Sequence, residues 1–158
     1  MTDARFEDGA EAPLRLKAET VEDLGVLAAL LQDAIFDAGD IHYDRKARRL
    51  GVLLNRFRWE DRTSAEAQGR PFERVRALLL VSDARMVQLA GVKPGSKGTV
   101  LSLLDIGWKP GDDGTGRVEL TLAGDGAIAV EVECLNVALR DVTRPYVAPS
   151  HKAPHHPE

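Results

Sequence analysis

The sequence predicts an α+β fold: a single curved antiparallel sheet or open barrel of about seven or eight strands, with one N-terminal helix packed on it. Three observations carry this expectation. One early stretch repeats its apolar residues at helical spacing. Beyond Gly39 the apolar period becomes two. Clusters of Gly, Asp and Pro then punctuate the alternating runs.

Residues 1–12 are acidic and without period, and are expected to be a flexible tail. Leu14 to Ala18 alternates as a short strand. Thr20 suits an N-cap, with Glu22 and Asp23 placed to complement the helix dipole, and the stripe Leu24, Leu27, Ala28, Leu31, Ala34, Ile35 predicts a helix over 21–33. Ile41-His-Tyr-Asp leads into a charged turn at 45–49, and Leu50 to Trp59 reads as a long strand. Its odd face holds Leu53, Asn55, Phe57 and Trp59; its even face starts apolar and ends in Arg56 and Arg58. Residues 60–73 read as a polar surface loop.

Residues 75–82 and 86–90 predict a hairpin about Asp83-Ala-Arg, Pro94 to Gly98 a turn, and 99–108 a strand. The plainest hairpin spans 117–134. There Val118, Leu120, Leu122, Ile128, Val130, Val132 and Cys134 are expected inside, around a Gly124-Asp-Gly turn. Residues 135–143 fit either a helix stripe or a strand shifted by a bulge, and their β-branched content leans to the strand. Residues 148–158 are proline-rich and read as a second flexible tail, which leaves 13–147 as one α+β domain.

Composition bounds the function. The length suits one domain that needs no staple, and a lone Cys134 cannot form an internal disulfide. No stretch approaches a membrane span, and the acidic start lacks the plan of a signal peptide, so a cytoplasmic protein without membrane association is expected. Within the net charge of −4, residues 1–43 carry ten acids against three bases, and residues 44–76 carry ten bases against five acids. Either the basic segment serves an anionic partner or the two segments face each other in the fold.

Two constellations could carry chemistry. Asp40, His42 and Asp44 alternate on one strand face, where carboxylates could orient an imidazole or share a metal; both acids also sit where turns ordinarily place them. Arg56 and Arg58, with Arg48 and Arg49 nearby, could hold a phosphate, a carboxylate or an acidic protein surface. An RNA platform would need the aromatics on the arginine face. Phe57 and Trp59 alternate away from it, and with an acidic total charge nucleic acid is disfavoured. His151, His155 and His156 read as solvated tail residues, and Gly95-Ser-Lys-Gly lacks the spacing of a phosphate loop.

The strings Asn55-Arg-Phe-Arg-Trp-Glu, Gly126-Ala-Ile-Ala-Val-Glu-Val-Glu-Cys-Leu and Arg140-Asp-Val-Thr-Arg-Pro-Tyr-Val-Ala-Pro-Ser resemble the bacterial family designated domain of unknown function 2948, over roughly residues 13–157. The resemblance implies a compact bacterial cytoplasmic protein and carries no catalytic residue or cofactor. The reading from residues is a non-enzymatic binding or scaffold module that uses residues 45–76, with no cofactor. The alternative is a small enzyme or metal-binding protein centred on Asp40, His42 and Asp44.

Overall fold

The computed structural model describes residues 13–92, 98–147 and Pro154. Both tail segments, their histidines and most of the expected turn at 94–98 lie outside the described residues, Pro154 excepted. Among the described residues eleven strands form one open antiparallel sheet: β1 (Arg15–Ala18), β2 (Ile35–Asp37), β3 (Ile41–Asp44), β4 (Arg49–Phe57), β5 (Glu73–Val81), β6 (Ala84–Ala90), β7 (Val100–Pro110), β8 (Gly116–Leu122), β9 (Ala127–Val132), β10 (Val137–Asp141) and β11 (Tyr146–Val147). The order across the sheet is β1-β10-β5-β4-β2-β7-β8-β9-β6, with β3 added to β4 and β11 to β5. The expectation of seven or eight strands is corrected to eleven. The shortest strands have two to four residues, too few for alternation to register.

Helix α1 (Val21–Leu30) starts where expected: the Thr20 hydroxyl accepts from the Asp23 N–H at 3.1 Å. It follows β1 rather than opening the chain, and it packs against β1 and β7 through buried Leu24 and Leu27. It stops short of residue 33. Ile35, assigned to the helix stripe, instead begins β2, which bridges β4 to β7. Residues 60–73 are also corrected: a 3₁₀ turn (Trp59–Asp61) runs into helix α2 (Arg62–Gln68), capped by Gly69 at φ 66°. Ala65 is the one buried residue of α2, so no apolar stripe announced it.

The core lies between two halves of the sheet. One wall is Leu50, Val52 and Leu54 on β4, Ala77, Leu79 and Val81 on β5, and Val137 and Leu139 on β10. The other is Leu103 and Ile106 on β7 with the inward faces of β8 and β9. The 117–134 hairpin forms with six of the seven expected inward residues buried, and its turn has positive φ at Gly124 and Asp125. Cys134 is exposed instead, because β9 ends at Val132 and alternation ends with it. Residues 75–82 and 86–90 are strands but not a hairpin: β5 pairs with β4, β10 and β11, whereas β6 pairs with β9. The turn at Asp83 (φ 56°) carries the chain from one half to the other. The lean toward strand in 135–143 holds, as the separate strand β10.

Candidate functional site

The even face of β4 stays inward to its end, so Arg56 follows Leu50, Val52 and Leu54 beneath the sheet and is fully buried. It survives there because its five N–H donors meet five acceptors. Nε and Nη2 reach the two oxygens of Asp141, each at 3.0 Å; Nη1 and Nη2 reach those of Glu60 at 2.9 and 2.8 Å; Nη1 also meets the Phe57 carbonyl at 3.4 Å. Burial opposes the charge on Arg56, but the hydrogen bonds from Glu60 and Asp141 outweigh it and hold the guanidinium protonated above its ordinary range. The same contact outweighs the burial that would raise Glu60, and its carboxyl lies below the ordinary value.

Arg58, also buried, bonds Glu73 and lies 3.7 Å from both Glu60 and Asp61. Asp61 in turn receives Arg70 at 3.0 and 3.2 Å. Three arginines and four carboxylates thus form one chain of charge along the open end of the core. It borders a cleft of about 730 Å³ whose lining includes Arg58, Glu73, Asp141 and Arg144 together with Pro13 and Val142. Among the described residues, Arg56, Arg58 and Arg70 find their acids at 60, 61, 73 and 141. Asp61, Glu60 and Glu73 are sequence neighbours of the arginines. Asp141 lies 85 residues from Arg56, and no local spacing points to it.

Elsewhere the expected residues separate. Arg48 bonds Glu133, and Arg49 is exposed on β4 opposite Asp44. Asp40 ends a 3₁₀ turn, half-buried; His42 and Asp44 are exposed on β3, and the Asp44 carboxylate accepts from the Ala47 N–H at 3.0 Å in a tight turn. The described residues contain no group of three His, Cys, Asp or Glu side chains that could hold a metal ion.

The outer face of β1, β10, β5 and β4 was not anticipated. Register aligns Lys17, Ala138, Leu80 and Gly51 in one row and Arg15, Arg140, Leu78 and Leu53 in the next, followed by Arg76 beside Asn55. The leucines are half-buried and Arg15, Lys17, Arg76 and Arg140 are exposed. A Cβ added to Gly51 would touch Leu80 and Leu78 at 3.6 and 3.8 Å, so this position is a shallow floor between leucines. Asp44 and Glu19 border the face, Glu19 lying 4.0 Å from Lys17. The signal was the alternation of Arg15 with Lys17 and of Arg74 with Arg76, which places each pair on one face.

No curated protein and no solved structure matches the chain. A family does: residues 14–156 match the one described as protein of unknown function (DUF2948), the match covers nearly the whole sequence, and the chain belongs to that family.

Proposed function

We propose that the chain is a non-enzymatic binding module that takes an acidic segment of a protein partner, anchored by apolar side chains, on the outer face of β1, β10, β5 and β4. The observation that carries this reading is the row Arg15, Arg140, Leu78, Leu53, in which cations on β1 and β10 continue into leucines on β5 and β4, flanked by the row Lys17, Ala138, Leu80, Gly51. The chain as a whole is acidic, with net charge −4, so a cationic face with an apolar centre selects its partner by charge and anchors it by burial. Arg56 and Arg58, spent on internal carboxylates, set the shape of the sheet's end rather than contacting the partner. A compact domain over 13–147 is the natural carrier of such a face.

A fluorescent peptide alternating Leu and Glu serves as probe, with its Lys counterpart as control. Anisotropy should show binding of the acidic peptide alone at about 50 mM salt, weakening as screening shortens the reach of the charges. The double variant Arg76→Glu/Arg140→Glu should lose that binding while keeping its circular dichroism. Equal binding of both peptides, or retention by the folded double variant, would overturn the reading.

A further inference from the structure

The two ends of the sheet are unequal. β1 carries Arg15 and Lys17 on a four-residue strand and lies against α1. β6 carries one charge, Arg85, in seven residues without a proline, and that arginine sits at the register shift between Ala84 and Met86. Short charged strands and covering helices are how proteins blunt a sheet edge; β6 has neither among the described residues. From Met86 to Ala90 its ladder runs to β9, opposite Glu131 through Ala127. Val87 and Leu89 point into the core opposite Val130 and Ile128, yet each stays partly accessible while those partners are fully buried. The core is therefore unfinished along this edge.

We propose that a second copy of this chain completes it, β6 pairing antiparallel with β6 across a two-fold axis through Gln88. The sequence of the strand fits itself in that register. Val87 falls opposite the partner's Leu89 on the inner side, continuing the apolar row of one core into the other. On the outer side, half-exposed Met86 falls opposite the small Ala90, and Gln88 meets its own copy, amide to amide. The Arg85 shift lies just outside the five-residue ladder, so the two arginines do not face each other. A strand of unrelated sequence would have to supply both the apolar inner row and the large-to-small outer match; the chain already carries both. This pairing uses the edge opposite β1 and stands independently of the acidic-peptide face.

Sedimentation equilibrium of the full chain tests it. Wild type should be a dimer in the micromolar range. Met86→Lys/Gln88→Lys places like charges across the axis and should weaken association by about tenfold or more, as should Met86→Glu/Gln88→Glu. Because Met86 and Gln88 are exposed, both variants should keep wild-type circular dichroism. Mixing the two should restore a dimer, now of one of each, which a general loss of stability cannot produce. A monomeric wild type, or folded variants that dimerise undiminished, or a mixture that stays monomeric, overturns the proposal.

Discussion

Arg56 shows how one side chain can be stable where its chemistry argues against it. A guanidinium in an apolar wall costs several kcal/mol unless every donor is met, and here two carboxylates and a carbonyl meet all five. Removing it strands Asp141, whose side chain is 6% exposed and whose Oδ2 also receives the Leu14 N–H at 2.9 Å. Arg56→Ala should therefore cost about 3–5 kcal/mol in urea denaturation. Pairing Arg56→Met with Asp141→Leu should recover part of that loss, since the stranded charge leaves with its partner. Glu60 sets a pH dependence. Its folded-state value is depressed, so its contribution is complete above the ordinary carboxylate range and disappears as pH falls through the folded value. Denaturation midpoints should drop on acidification, and Glu60→Gln should flatten that drop. None of this was legible locally. The strand period placed Arg56 on a face, but whether that face ends in water depends on Asp141, a residue of a strand on the other side of β5.

Among elements, those defined by their own residues were legible. The β8–β9 hairpin follows from uninterrupted alternation about a turn that needs two positive φ angles, and α1 follows from its cap and stripe. Val130 is fully buried in that hairpin, and Val130→Ala should cost about 1–3 kcal/mol by thermal or chemical unfolding. Gly116 begins the same hairpin under the Trp108 indole. A Cβ there would come within 2.4 Å of the ring and 2.6 Å of the Lys109 carbonyl. Gly116→Ala should accordingly lose about 1–3 kcal/mol, and the near-ultraviolet dichroism of Trp108 should change with it. What the sequence could not convey was which strand pairs with which. The turn at Asp83 was legible, but a turn between two strands does not make them neighbours. Here it passes the chain from β5 to β6, whose partners are elsewhere. Helix α2 was missed for a different reason: anchored by Ala65 alone and closed by Gly69, it offers no apolar periodicity to read.

At the scale of the molecule, a large antiparallel sheet with few helices was foreseeable from the strand-rich pattern, while the eleven strands of the described residues and their order were not. No helix among the described residues is long and apolar enough to cross a membrane. The order across the sheet places β1 beside β10, and Arg15 stands opposite Arg140. Such distant pairing closes a large loop before it returns any contact energy, and refolding should therefore relax in milliseconds to seconds in stopped-flow measurements. The same pairing matters while the protein is being made. The first strand leaves the ribosome with its neighbour still uncoded in peptide, and at about 5–20 residues per second it waits roughly 6–25 s for that neighbour to be synthesised. During that interval Leu16 lacks the strand it lies beside, and the apolar side of α1 has only β1 to rest against until β7 is made, so both offer a nascent-chain chaperone an uncovered apolar surface.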